Sequence, residues 1–187
     1  MKQDRKEMET LDLERIRGGF PGITPVFGTM LLEACLVCLE KLDHKPGTVL
    51  NIFGDWNVEI ELRWNTVVDE QMRRTWSNQN ETTEFAAVCL VVLLVNQLTD
   101  YAIIGKAGEK SGIDFWLGNR FSEDSEGLFT PSGRLEVSGI FSGTKTQIRQ
   151  RFRLKLTQSR QSESTNLPVI IGITEFRTPQ TRLERKK

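Results

Sequence analysis

Eleven consecutive residues, Phe85–Val95, carry no charge and no strongly polar side chain. A helix that is apolar all round must be buried, in protein or in lipid. Crossing a bilayer takes about 20 such residues, so this run predicts a core helix enclosed by the rest of the chain. Its start falls near Asn78-Gln-Asn80, with Asn80 or a neighbouring threonine as N-cap, and it extends from about Glu81 to Leu98. A second run, Leu167–Phe176, is short and almost continuously apolar, as suits a buried strand. A buried helix and a buried strand in 187 residues imply one α/β domain, or one with a small addition. The expected architecture is a central mixed sheet flanked by helices.

From residue 81 the predicted order is helix, strand, strand, strand, helix, strand. The strands are Tyr101–Lys106, Gly112–Leu117, Arg134–Phe141 and Leu167–Phe176, and the second helix is Thr144–Ser159. A polar, glycine-containing loop covers 118–133, a polar linker 158–166, and a basic tail follows Pro179. Upstream, 29–42 has helical apolar spacing, and 48–64 reads as a hairpin turning at Gly54-Asp55. In its second arm Val58, Ile60, Leu62 and Trp64 alternate with Glu59, Glu61 and Arg63, the period of a half-exposed strand. A short helix is expected near Asp69–Trp76, and 1–19 as a loose arm or weak helix. The chain thus divides into an N-terminal arm, helix and hairpin layer at 1–77 and an α/β core with basic helix and tail at 78–187.

Charge is balanced overall, 25 Lys+Arg against 25 Asp+Glu, but unevenly placed. Residues 144–187 hold eleven basic and three acidic residues, a net of +8, which leaves −8 on the first 143. A uniformly basic nucleic-acid binder is excluded; a local phosphate-binding surface is not. The charged stretch Met1–Gly19 lacks the apolar segment of a signal peptide. Three cysteines in apolar stretches (Cys35, Cys38, Cys89) suit a reducing compartment, and a cytoplasmic location is expected, with no membrane partner. The lone His44, before Lys45-Pro46-Gly47, reads as a turn residue, and no nucleophile stands near it. Trp116, two residues from Asp114, is the tryptophan of interest beside the candidate site.

Two carboxylates interrupt otherwise apolar strands: Asp114 in Ser111-Gly-Ile-Asp-Phe-Trp-Leu-Gly118 and Glu136 in Arg134-Leu-Glu-Val-Ser-Gly139. Buried carboxylates are costly unless paired, hydrogen-bonded or bound to a cation. On adjacent strands they form a hard-oxygen pair suited to Mg²⁺ or Mn²⁺. Glu84 sits in the first turn of the apolar helix.

This order and these residues resemble the core of the PD-(D/E)XK nuclease superfamily. The resemblance implies a restriction-endonuclease-like core and a metal-dependent phosphodiester hydrolase acting on DNA, in DNA processing or defence against foreign DNA. It implies Glu84, Asp114 and Glu136 as metal ligands, helped by the Val137 carbonyl. The family's lysine position is Ser138, so the cation must come from elsewhere. Lys106 is the catalytic candidate on the neighbouring strand; Lys145, Gln147 and Arg149 are further candidates. The strings Ser111–Gly118 and Arg134–Ile140 also resemble strings of bacterial proteins, which adds no function. Lys145, Arg149 and Arg153 on the basic helix are the expected nucleic-acid contacts.

Structural alternatives stand beside each role. Asp114 can cap a turn, Glu136 can pair with Arg134 or an arginine of the basic helix, and Glu84 complements the helix dipole. A core that has lost its chemistry with its lysine would serve as an interaction subunit, its opposite charges joining a second copy or a partner protein. A metal-free hydrolase with Asp114 and Glu136 as acid and base is a third reading.

Overall fold

Both apolar runs lie at the centre of the molecule. The computed structural model describes residues 8–122 and 125–187. Residues 1–7 of the expected arm and 123–124 of the expected loop lie outside the described residues. The helices are α1 (Pro25–Glu40), α2 (Glu70–Thr75), α3 (Gln79–Leu98), α4 (Ser125–Phe129) and α5 (Lys145–Ser159). The strands are β1 (Glu9–Asp12), β2 (Val49–Gly54), β3 (Val58–Arg63), β4 (Tyr101–Lys106), β5 (Phe115–Asn119), β6 (Gly133–Ile140), β7 (Val169–Glu175) and β8 (Gln180–Lys186). Short 3₁₀ segments span Leu13–Gly18 and Arg160–Thr165.

The eight strands form one mixed sheet in the order β1-β3-β2-β8-β7-β6-β5-β4. β4, β5 and β6 are antiparallel neighbours, and β6 joins β7 in parallel across α5. β8 is antiparallel to β7 and parallel to β2, so it links the β2–β3 hairpin to the rest of the sheet. This is a mixed-sheet α/β fold, as the alternation of apolar segments predicts.

Strand alternation sorts side chains onto two faces. Leu135, Val137, Ile170, Leu183, Leu50, Ile52 and Ile60 pack with α1 and α3 on one face. Val169, Ile171 and Ile173 pack under Ile148 and Phe152 of α5 on the other. α3 is the one helix among the described residues long and apolar enough to cross a membrane, and most of it is buried inside the fold. Its N-cap is Asn78, whose side chain accepts from the Asn80 and Glu81 amides, rather than Asn80 or a threonine. Close packing of α3 depends on two bare backbone positions. A Cβ at Gly172 would lie 2.6 Å from Val91 Cγ1, and one at Gly139 would meet the Thr83 carbonyl.

Three segments differ from the sequence expectation. The basic tail is strand β8, because Thr181 and Leu183 are buried while Arg182 and Lys186 face α5. The described part of the expected arm is β1 plus a 3₁₀ turn, held by buried Leu11, Leu13 and Ile16. The loop after β5 contains α4.

Candidate functional site

Asp114 and Glu136 meet across a strand pair. Phe115 is in register with Leu135, so Asp114, one residue earlier on the antiparallel strand, faces Glu136. Asp114 is tied down on both sides of its backbone: its amide donates to the Leu135 carbonyl (2.9 Å) and its carbonyl accepts from the Ala107 amide (2.9 Å). Its Oδ2 accepts from the Val137 amide at 2.7 Å. The side chain therefore extends the β5–β6 ladder, and its position is fixed by backbone pairing.

Glu136 is 3% exposed and shares the α5 side of β6 with Arg134 and Ser138. Burial, with the Asp114 carboxylate beside it as the next cause, raises its pKa from 4.5 to about 8. The Lys155 ammonium, 2.6 Å from Glu136 Oε1, opposes this and does not overcome it. Two facing carboxylates with one ammonium are short of positive charge. A proton on Glu136 supplies it near neutral pH, and a divalent cation is the other way to supply it.

The pair opens into a cleft of about 320 Å³ between the β4–β5 loop and the C-terminal half of α5, lined by Lys110, Ser111, Asp114, Glu136, Lys155 and Gln158 among others. The loop is anchored at Gly112, whose φ of +71° and close approach to the Gln158 carbonyl exclude a side chain. The far end of α5 is held by Arg134. This buried guanidinium donates to the carbonyls of Ser159 (3.0 Å) and Leu167 (2.9 Å from Nε) and to Ser162 Oγ (3.1 Å). Arg134 therefore does not pair with Glu136; it fixes the helix end that carries Lys155.

The structure redistributes the other expected site residues. Glu84 does not join the carboxylate pair. Its oxygens accept from Ser138 Oγ (3.1 Å) and the Gly139 amide (3.0 Å), and Arg151 Nη1 bonds Ser138 Oγ at 2.8 Å. The cause is the height at which α3 meets β6: Glu84 reaches Ser138 and Gly139, and Glu136 lies two residues earlier on the same strand. Among the described residues no three His, Cys, Asp or Glu side chains converge as a metal cluster. The protein donors at the pair are thus Asp114 and Glu136, a set of the hard-oxygen kind that Mg²⁺ accepts with waters completing its shell.

Lys106, expected as the catalytic cation, instead places its ammonium 4.7 Å from the Phe27 ring centroid on α1. The cation at Glu136 is Lys155, which the sequence suggests only as a phosphate contact alongside Arg151 on the basic helix, not as a partner of the carboxylates. The signal was present: Arg151, Lys155 and Gln158 recur at helical spacing and form the stripe of α5 that faces β6 and the β4–β5 loop. Lys145 and Arg149 line a larger groove of about 840 Å³ against β2 and β8, beside Asn51, Phe53, Gln180 and Arg182. Arg153 is exposed on the same helix, outside that lining. Part of the basic quarter is neutralised internally, since Arg182 and Lys186 both pair with Glu184 at 2.6 Å.

His44 is structural: its Nε2 bonds the Phe176 carbonyl at 2.8 Å. Cys35, Cys38 and Cys89 are buried free thiols, with burial holding the Cys38 pKa well above the ordinary thiol value. Trp116 packs partly buried in the smaller apolar cluster under α5. No protein-family model, curated protein or solved structure matches the chain.

Proposed function

We propose that this protein is a metal-dependent phosphodiester hydrolase acting on DNA, built on a PD-(D/E)XK-like core. The observation that carries the reading is the cluster of Asp114, Glu136 and Lys155, with the Lys155 ammonium 2.6 Å from Glu136. The connectivity α3-β4-β5-β6-α5-β7, antiparallel through β6 and parallel at β6–β7, supports it, being the order that the resemblance implies. In this reading Asp114 and Glu136 hold Mg²⁺ or Mn²⁺, which when bound supplies charge neutralisation and activation of water. Lys155 replaces the lysine absent at Ser138: its ammonium reaches the same carboxylate from the helix side and orients the water. Arg134 positions Lys155 through the end of α5. Lys145 and Arg149, with Arg153 beyond them, contact the phosphate backbone.

The test uses purified protein with plasmid and oligonucleotide in Mg²⁺ or Mn²⁺. Cleavage is expected, and Lys155→Met is expected to slow it by about 10²-fold or more while calorimetry still detects cation binding. Cleavage that persists in Asp114→Ala and Glu136→Ala removes the assignment. A second reading, an interaction subunit without chemistry, is favoured by one observation: Glu84 is engaged with Ser138 and Gly139 and leaves the pair two-membered. Absence of cation binding in wild type would select it.

A further inference from the structure

A separate cleft of about 480 Å³ lies at the opposite end of β5, lined by Trp56, Asp100, Tyr101, Asn119, Phe121 and Arg185 among others. Asp114 precedes β5 and Asn119 ends it, so the two sites stand roughly 17 Å apart along the strand.

Three aromatic rings of this cleft are fixed in place. Trp56 Nε1 donates to the Leu98 carbonyl at 3.1 Å. The Tyr101 ring has the Arg185 guanidinium 5.5 Å from its centroid. Phe121 is 66% exposed, yet it is not loose. Its amide donates to Asn119 Oδ1 (3.0 Å), and its ring rests 5.0 Å from the Arg120 guanidinium. Arg120 is in turn held by the Asn96 and Thr99 carbonyls at the C-terminal end of α3. A large apolar ring is thus backed by a rigid cation with its outer face in solvent, an arrangement that folding does not require.

The polar groups indicate what the rings receive. Arg185 is anchored through its backbone amide to Asp55 Oδ2 at 2.7 Å, and among the described residues its guanidinium pairs with no carboxylate. The solvent-exposed Asp100 carboxylate likewise has no side-chain hydrogen bond among the described residues, and exposed Asn119, whose Oδ1 accepts from the Phe121 amide, keeps its amide nitrogen free towards the cleft. Flat apolar walls, an unpaired guanidinium, one acceptor and one donor match a planar heterocycle that carries a phosphate. A purely apolar ligand would leave Arg185 and Asp100 unused. A quaternary ammonium would meet two guanidinium charges, Arg120 and Arg185, against the single carboxylate of Asp100.

We propose that this cleft binds a nucleotide unit, its base stacked on Phe121 with Trp56 and Tyr101 as the opposing walls and its phosphate on Arg185. The site is distinct from the carboxylate pair, and its test does not depend on cleavage. Wild-type protein in EDTA is titrated with nucleoside 5′-monophosphates, the matching nucleosides and a single-stranded hexanucleotide, following tryptophan fluorescence and anisotropy. Saturable binding of the monophosphates is expected. Phe121→Ala, an exposed position whose folding is verified by thermal melting, should weaken binding about tenfold. Arg185→Gln should weaken the monophosphate about tenfold and leave the nucleoside unchanged. Hexanucleotide binding that is tighter than the monophosphate's and is weakened by Phe121→Ala assigns the cleft to a base within a strand; hexanucleotide binding that Phe121→Ala leaves unchanged assigns it to a free nucleotide. No saturable binding up to about 10 mM, or binding indifferent to both substitutions, overturns the proposal.

Discussion

Replacing Glu136 with glutamine keeps the shape of its protonated form and removes its titration. The wild-type group has a folded pKa of about 8 against 4.5 for a free glutamate. Its unfolded form therefore releases a proton, between those values, that the folded form retains. Below pH 4.5 both states are protonated and the contribution to stability is fully present. It is lost progressively as pH rises to about 8, and no further change follows above that. At about 1.4 kcal/mol per pKa unit, the full swing is on the order of 5 kcal/mol. Glu136 is almost wholly buried, so solvent screening takes little from this figure. The assay is urea denaturation of wild type and Glu136→Gln in EDTA across pH 4.5–9, comparing extrapolated unfolding free energies. Wild type should lose stability relative to the variant as pH rises, the reverse of the usual carboxylate trend. Parallel pH profiles would refute the reasoning, because they would mean that Asp114 and burial do not hold a proton on Glu136.

Two further perturbations follow from the same bonds. Glu14 has the opposite sign: Arg17 and the Asn65 and Thr66 amides hold its pKa at about 2 against 4.5. Glu14→Gln should cost about 1–2 kcal/mol near neutral pH, less than the full shift because water screens the partly exposed pair with Arg17, a loss that fades as pH falls from 4.5 towards 2, measured by the same denaturation series. Arg134→Met leaves the Ser159 and Leu167 carbonyls without their donor, and should destabilise by about 2–4 kcal/mol in chemical denaturation.

What the sequence could convey depended on how local each signal is. Glu136 was legible because an acid inside an apolar strand is conspicuous within a few residues; Asp114 was found by the same signal, although it lies one residue before β5 rather than within it. The core helix was legible because Phe85–Val95 admits only burial. The role of Lys155 was not: its stripe with Arg151 and Gln158 is visible, but α5 is basic on several sides, and which stripe faces the sheet is chosen by where Ile148 and Phe152 find apolar partners on β7. Glu84 misled for a related reason. The helix itself was legible, but it starts at Gln79, so the first-turn acid is Glu81 and Glu84 falls one turn further in; the height at which α3 meets β6 is set by bare glycines at 139 and 172, which no helical periodicity encodes. β8 was hidden because only Thr181 and Leu183 face the core, too few to outweigh its arginines and lysines.

β8 also sets a timetable. The β2–β3 hairpin leaves the ribosome early, but β2 gains its second neighbour only when β8 has been made, after the whole segment from α3 to β7. At roughly 5–20 residues per second, β2 waits on the order of ten seconds with one edge unpaired. In that interval the nascent chain presents the free edge of β2, a row of unpaired backbone donors and acceptors. That edge is the point at which two nascent copies would cross-pair if crowded on one message.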